Sequence, residues 1–222
     1  MKLSNSKNAL ISWSGGKDSC YALYKARQKG VKPKVLLTML NEEGTLSRSN
    51  AVTVEILKAQ SNALNIPIIF ASASWEEYEN IFIATLKNAK LEYELTNVVF
   101  GDLDIEKHKN FEEEASSAAG LQAILPIWGM SRNEAAKEVL NLGIRAKLSV
   151  IRNDIIDEQY LGSEYDDSIF EYFKKNNIDI CGENGEFHTL VYDSPIFNDK
   201  IPINLFQKCR NSIYSFAMFR LF

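Results

Sequence analysis

The sequence predicts an α/β fold: a doubly wound, Rossmann-like parallel sheet of five strands, followed by a smaller C-terminal α+β part. Short apolar runs alternate with amphipathic segments up to about residue 142, a pattern typical of parallel sheets with helices on both faces. A polar, glycine-containing loop directly follows the first apolar run. Past Asn153 the alternation ends, which indicates a change of architecture in the last third of the chain.

Five short apolar runs are the predicted strands of the parallel sheet. The second run is apolar almost throughout, which suits a strand buried on both faces. The segments between the runs carry apolar residues at helical spacing, as Cys20, Leu23 and Tyr24 do, and therefore predict helices. The predicted strands are residues 9–13, 34–40, 67–70, 97–100 and 122–127, and the helices that follow them end near residues 28, 64, 89, 119 and 142.

The last third of the chain is predicted to mix strands with one short helix. Ser131 and Glu134 form a capping box that opens the last helix of the alternating part, and a strand is predicted at residues 145–151. The acidic stretch at residues 164–167 reads as the solvated start of a short helix, and strands follow from Glu186 onward. We place a domain boundary at residue 135, which gives domains at residues 1–135 and 136–222 with no flexible linker between them.

Composition excludes several classes of protein. The chain has 222 residues with 45% hydrophobic and 24% charged residues, ordinary globular values that exclude disordered and fibrous proteins. A pI of 5.4 argues against a nucleic-acid surface. Cys20, Cys181 and Cys209 are too widely spaced for a zinc motif or a disulfide framework, so a reducing cytoplasm is expected. The apolar runs are too short for a signal peptide or for a membrane span of about 20 residues.

The loop at residues 14–19, Ser-Gly-Gly-Lys-Asp-Ser, is the strongest functional signal. Gly15 and Gly16 let the backbone approach a phosphate, and the amides at the start of the following helix favour an anion. Lys17 adds a mobile positive charge on the loop, outside the core, whereas Asp18 fits an anion cradle only if it holds a cation such as Mg²⁺. The alternative is an ordinary Gly-Gly turn. This spacing is not that of a Walker A motif.

Ligands of open parallel sheets lie at the carboxyl ends of the strands, and this nominates further residues. Thr38 and Met39 could contact adenine, although Met39 could equally be core. Gly101 could allow a nucleotide to approach, or could simply end its strand. Asp102 could bind magnesium or ribose, or cap the next helix. Residues 126–129 are nominated by the same argument.

A second cluster of titratable residues lies at residues 181–189, Cys-Gly-Glu-Asn-Gly-Glu-Phe-His-Thr. If this segment is a strand, Glu186 and His188 share one face, and a carboxylate beside a histidine can bind or deprotonate an amine. Glu183 lies in a tight turn between two glycines. The alternative is a surface strand with solvated charges. His108 is given a structural role as readily as a catalytic one, and Cys20 and Cys181 are assigned structural roles.

Residues 14–19 resemble the pyrophosphate loop of the N-type ATP pyrophosphatases, an adenine nucleotide alpha hydrolase-like (HUP-like) superfamily whose fingerprint is SGGxDS after the first strand. The resemblance implies that residues 1–135 bind nucleotide and that residues 136–222 form the substrate side. It also implies that a substrate oxygen attacks the α-phosphorus of ATP, pyrophosphate leaves and an adenylate forms. A nitrogen or sulfur nucleophile then displaces AMP.

Several segments between about residues 8 and 200 resemble, in order, the diphthine–ammonia ligase family: residues 14–24, 125–129, 160–162, 181–189 and 193–197. The resemblance implies an ATP-dependent, amide-forming ligase that joins ammonium to the carboxylate of diphthine, a modified histidine on an elongation factor. Asn50 stands where a histidine is common, and residues 101–108 differ from the eukaryotic and archaeal pattern. These departures resemble a bacterial branch, whose acceptor need not be diphthine.

The implied partners are ATP with Mg²⁺, ammonium and a carboxylate acceptor such as a modified protein side chain, without membrane or nucleic acid. Two alternatives stay open: a nucleotide-binding sensor without turnover, and a tRNA-modifying ATP pyrophosphatase. The oligomeric state is also open, a homodimer included. The candidate catalytic residues are Lys17, Asp18, Glu183, Glu186 and His188. The candidate nucleotide contacts are Ser12, Trp13, Ser14, Gly15, Gly16, Lys17, Asp18, Ser19, Thr38, Met39, Gly101 and Asp102, with Asp18 also the candidate metal ligand.

Overall fold

Two β-sheets organise residues 7–222, the part of the chain that the computed structural model describes. The strands of the first sheet are β1 (Asn8–Ser12), β2 (Lys32–Leu40), β3 (Ile68–Ser72), β4 (Asn97–Val99) and β5 (Gln122–Ile124). They pair in parallel in the order β3-β2-β1-β4-β5. This order confirms the predicted doubly wound sheet, whose strand order reverses between β1 and β4.

Helices cover both faces of the parallel sheet. Those of the first two thirds are α1 (Lys17–Gln28), α2 (Val54–Leu64), α3 (Tyr78–Tyr93), α4 (Glu106–Ala118) and α5 (Arg132–Asn141). Successive β2 residues point to opposite faces: Leu36 packs in the same cluster as α1 and α2, whereas Leu37 packs with α3 and α4. The chain therefore buries a continuous apolar strand on both sides, as the sequence predicts.

The second sheet is antiparallel and occupies the C-terminal third. Its strands are β6 (Arg145–Arg152), β7 (Phe187–Asp193), β8 (Ile203–Arg210) and β9 (Tyr214–Leu221), in the order β7-β6-β9-β8. Helix α6 (Asp167–Lys175) packs Phe173 on Phe187, with their ring centroids 4.8 Å apart. The predicted α+β character of this part is confirmed.

The element ends differ from the prediction by a few residues. Helix α3 begins at Tyr78 rather than at residue 75, and it runs on to Tyr93. The Ser131 hydroxyl accepts a hydrogen bond from the Glu134 amide at 3.2 Å, as the capping box predicts. In the acidic stretch Asp166 caps α6, but Glu164 instead pairs with Lys147 at 2.7 Å.

The proposed boundary at residue 135 falls inside α5 and between the two sheets, and it stays a prediction. Residues 1–6 of the first predicted domain, part of the N-terminal segment considered for a signal peptide, lie outside the described residues. Among residues 7–222, no helix combines the length and the apolar character needed to cross a bilayer.

Candidate active site

A cleft of about 880 Å³ opens at the carboxyl ends of β1, β2 and β4. This volume lies within the roughly 300–1,000 Å³ usual for small-molecule sites. One wall is the loop at residues 14–19, and the opposite wall is the segment at residues 181–189. Residues 126–129, also nominated from a strand end, are not among the described residues that line the cleft.

The loop at residues 14–19 is built to present backbone amides. Gly15 has a φ of +84°, a conformation that favours glycine. Gly16 is the N-cap of α1 and provides no side-chain hydrogen bond to the first turn, so the helix start is not closed by its own cap. The hydroxyl oxygens of Ser14 and Ser19 lie 3.2 Å apart at the same end. This arrangement suits an anion.

Strand β7 of the second sheet completes the loop. The Val191 amide donates to the Gly15 carbonyl at 2.9 Å, and the Lys17 amide donates to the Thr189 hydroxyl at 3.0 Å. The side chain of Asn50 donates to the Thr189 carbonyl at 2.7 Å. The loop conformation therefore depends on residues of both sheets.

Lys17 departs from the prediction that it is a mobile loop charge outside the core. It is only 2% exposed. Its ammonium donates to the Cys181 carbonyl at 2.5 Å and lies 5.5 Å from the ring centroids of both Tyr165 and Phe187. Burial lowers the pKa of Lys17, but the negative groups around it, Asp18 first, raise the pKa more. The side chain thus carries a buried positive charge between the two sheets.

Asp18 is the partner of Lys17 in this structure. Its two carboxylate oxygens accept from the Lys17 ammonium at 2.9 and 2.8 Å. Within residues 7–222, no group of three or more His, Cys, Asp or Glu side chains is placed to hold a metal ion. The residues present do not fit a metal held by the protein alone, and Asp18 would have to leave Lys17 to bind one.

The other predicted nucleotide contacts lie where expected, with internal bonds of their own. Ser12, Trp13, Thr38 and Met39 all line the cleft. The Thr38 hydroxyl donates to the Trp13 carbonyl at 2.5 Å, and the Trp13 indole donates to Gln60 at 2.8 Å. Met39 also packs in the core beside α3 and α4, which confirms the core interpretation, whereas its contact with adenine stays a prediction.

Gly101 allows a close approach of protein backbone; it also lines the cleft, and its contact with a nucleotide stays a prediction. A Cβ atom at this position would lie 2.9 Å from the Asp18 carbonyl carbon and 3.0 Å from the Ser19 amide nitrogen. Backbone atoms cannot rotate away as a side chain can. The glycine therefore lets the β4 exit pack against the start of α1.

Replacing Gly101 with alanine is expected to push the Asp18–Ser19 backbone out of place. We expect a loss of about 1–3 kcal/mol in the free energy of unfolding, the usual cost of overpacking, together with weaker ATP binding. Urea denaturation and calorimetry with Mg-ATP measure the two effects. Ser117→Ala, at an exposed position of α4, is the control. Parental stability and affinity in Gly101→Ala would contradict the packing argument.

The segment at residues 181–189 separates its titratable residues. Glu183 and His188 line the cleft, whereas Glu186 does not. Glu186 is buried, and its carboxylate accepts from the amide and the side chain of Asn184 at 3.1 and 3.0 Å. Glu186 therefore stabilises the turn that presents Glu183. Its predicted catalytic role stays a prediction.

Glu183 and His188 have opposite protonation behaviour. Burial and the nearby charge of Asp18 raise the pKa of Glu183 to about 8. Burial and the charge of Lys17 lower the pKa of His188 to about 4. His188 is consequently a neutral and weak base, which weakens its predicted role as a proton relay.

Arg132 ties the second segment to the parallel sheet. Its guanidinium binds the Asp104 carboxylate through two bonds of 2.8 Å and the Asp179 carboxylate through one of 2.7 Å. Asp179 in turn accepts from the Glu183 amide at 2.9 Å. The local sequence pattern does not predict these ion pairs, because Asp104, Arg132 and Asp179 come from three separate segments.

A further group of titratable residues was not singled out together from the sequence. Asp102, at the exit of β4, lies 2.8 Å from Nδ1 of His108, measured to Oδ1, and does not cap α4. Glu112 is buried on the next turn of α4, and burial and the nearby Asp102 raise its pKa to about 11. All three line the cleft. The side chain of His108 is 56% accessible, which is more than we expect for a buried structural histidine.

The cysteines behave as predicted. Cys20 is buried and its thiol contacts the Ser194 hydroxyl at 3.3 Å, and the Cys181 thiol contacts the Arg132 carbonyl at 3.0 Å. Burial raises the pKa of both thiols to about 12. The thiols are therefore protonated near neutral pH, which supports the structural roles assigned to both residues.

Two family models match the chain. The model described as "Diphthamide synthase N-terminal domain" matches residues 7–123, and that described as "Diphthamide synthase C-terminal domain" matches residues 131–219.

Similar curated proteins carry the name "Diphthine--ammonia ligase". The mouse protein is 23% identical, covering 94% of this chain and 86% of its own length. The human protein is 22% identical with the same coverage, and the zebrafish protein is 22% identical over 92% of this chain and 89% of its own. A Methanocaldococcus jannaschii structure titled as a predicted subunit of tRNA methyltransferase gives a TM-score of 0.45 at 14% identity, covering 87% of this chain and all of that one. A TM-score this low carries no argument on function.

Proposed function

The chain belongs to the diphthamide synthase family, and from that premise we propose an ATP-dependent ligase that adenylates a carboxylate and amidates it with ammonia, releasing AMP and pyrophosphate. One observation supports this assignment most: the start of α1, whose N-cap residue provides no side-chain cap, and the acidic segment at residues 181–189 face the same cleft from two different sheets. This arrangement supports an anion site next to an amine site.

We assign the phosphates of ATP to the loop at residues 14–19. The amides at the α1 start, the hydroxyls of Ser14 and Ser19 and the charge of Lys17 together suit a pyrophosphate leaving group. The adenosine part is assigned to the adjoining wall formed by Ser12, Trp13, Thr38, Met39 and the backbone of Gly101. Magnesium is proposed to enter with the phosphates, and no step of the reaction is assigned to it.

We assign ammonium to the other wall, beside Glu183. A carboxylate there would repel the phosphates of ATP, so it serves the positively charged substrate instead. The acceptor is proposed to be the carboxylate of diphthine or of a similar modified side chain, as the names of the relatives suggest. Three free cysteines suit work in a reducing cytoplasm, and a homodimer stays a proposal.

Incubation of the chain with Mg-ATP, ammonium and an elongation factor that carries diphthine is expected to yield AMP and pyrophosphate in equal amounts. Phosphorus NMR identifies the products, and mass spectrometry of the acceptor shows replacement of a carboxyl oxygen by nitrogen. The already amidated acceptor is the control and should give no AMP. ADP and phosphate as products would contradict the proposed cleavage position.

A further inference from the structure

Glu112, Asp102 and His108 lie next to one another, and they differ in protonation state. Burial and the nearby Asp102 raise the pKa of Glu112 to about 11, so Glu112 is a neutral acid beside Asp102. Burial raises the pKa of Asp102, but the interactions with His108 and Glu112 outweigh burial and lower it. Asp102 is therefore an ionised acceptor, in contact with Nδ1 of His108 at 2.8 Å.

The ionised Asp102 fixes the tautomer of His108. Because Oδ1 of Asp102 can only accept, the contact of 2.8 Å assigns the proton to Nδ1 of the ring. The lone pair of Nε2 is then available to accept a proton. Over half of this side chain is exposed, and the residue lines the cleft.

The charges that face His108 favour its protonated form. The hydrogen bond from Asp102 raises the pKa of His108, burial lowers it, and Glu183 across the cleft raises it further. Lys107 lines the cleft on the same helix, and Glu112 is neutral. His188 cannot fill this role, because its pKa is about 4.

The geometry points to His108 as the catalytic base that takes protons from ammonium during amide formation, with Asp102 and Glu112 as the residues that position it. This inference rests on the proposed ligase function. Ammonium, bound beside Glu183, gives one proton to Nε2, and the lone pair of the resulting ammonia forms the C–N bond at the carbonyl carbon of the adenylate. The C–O bond to AMP breaks, its electron pair leaves on the phosphate, and the nitrogen loses a second proton. The exposed ring passes each proton to water.

His108→Gln separates this role from a structural one. We expect it to keep acceptor-dependent exchange between ATP and pyrophosphate without ammonium, since adenylation does not use the base. Amide formation from ammonium at neutral pH should fall by roughly a hundredfold or more. With hydroxylamine, which is uncharged at neutral pH, the loss should be at least tenfold smaller, because one of the two proton transfers is no longer needed.

The positioning residues are tested with matched pairs. Glu112→Gln keeps a neutral polar group of the same size beside Asp102 and should retain more activity than Glu112→Leu, which removes that polar group. Asp102→Asn should lower both the rate and the pKa of His108, which NMR titration of the ring reads independently of turnover. Glu114→Gln, exposed on the same helix, is the control.

Three results would overturn the inference. They are a parental amide rate in His108→Gln, an equal loss with ammonium and hydroxylamine, and an unchanged His108 titration in Asp102→Asn. Failure of the proposed function gives a different result. The unaltered chain would then show no acceptor-dependent exchange between ATP and pyrophosphate, and the role of His108 as a base would be rejected together with the ligase function.

Discussion

Glu183→Gln is expected to reduce amide formation by roughly a hundredfold or more while leaving Mg-ATP binding close to the parental value. Glutamine keeps the shape of the side chain but cannot offer the negative charge that ammonium requires. The side chain faces the cleft, and its amide is held by Asp179, so the substitution does not disturb the turn. Calorimetry and AMP release, measured on the same preparations, test both halves of this expectation.

The raised pKa of Glu183 predicts how both kcat/KM and the free energy of unfolding depend on pH. In the parent, kcat/KM for ammonium should rise as the pH rises towards about 8, because the carboxylate forms over that range. The sign for stability is opposite. The folded chain holds this proton more tightly than the unfolded chain, so ionisation destabilises the parent as the pH rises from about 4.5 to about 8. Glu183→Gln should therefore be at least as stable as the parent at pH 8.

Glu43→Gln, an exposed position of the loop between β2 and α2, is the control for Glu183→Gln and should leave turnover unchanged. Parental AMP release in Glu183→Gln would remove this residue from the site. Loss of ATP binding together with turnover would instead place Glu183 on the nucleotide side.

Lys17→Met is expected to weaken both the fold and nucleotide binding. The buried ammonium satisfies Asp18 and the Cys181 carbonyl, and its loss leaves these acceptors without a donor. We expect a decrease of about 1–3 kcal/mol in the free energy of unfolding and a fall in Mg-ATP affinity of roughly tenfold to a hundredfold. Methionine retains the apolar stem against Tyr165 and Phe187, so the effect reports the charge.

A double substitution distinguishes the two effects of Lys17. Adding Asp18→Asn to Lys17→Met removes the unpaired carboxylate and should restore part of the stability, while ATP binding stays weak. Lys58→Met, exposed on α2, is the control. Parental stability in Lys17→Met would instead support the sequence-based prediction that Lys17 is a mobile charge on the loop, outside the core. Parental ATP affinity would remove it from the phosphate site.

The sequence was informative where the signal is local. Apolar runs and helical spacing predicted the five parallel strands and their helices, because a strand buried on both faces needs apolar residues at successive positions. The glycines at residues 15 and 16 predicted the loop, because the φ of +84° at Gly15 favours glycine and a Cβ at Gly16 would clash with the Asn50 side chain.

The sequence was misleading where a contact joins distant segments. A lysine between Gly16 and Asp18 looks solvent-facing, yet its carbonyl partner is 164 positions away. His188 seemed the better base because it follows Glu186, but Glu186 turns to Asn184 and the positive charge near His188 comes from Lys17. His108 gained its role from Asp102, six positions earlier and across a bend.

The hydrogen bond between the Lys17 amide and Thr189 spans 172 positions of the chain. During synthesis the parallel sheet leaves the ribosome long before β7 exists, and domains generally form in the order in which they emerge. The phosphate loop of the nascent chain therefore lacks the strand that sets its conformation until nearly the whole protein has been made. A ribosome-bound chain that ends before β7 has residues 14–19 without the β7 contacts that hold them. On the proposed assignment of ATP to this loop, we expect nucleotide binding only in chains that already contain residues 181–189.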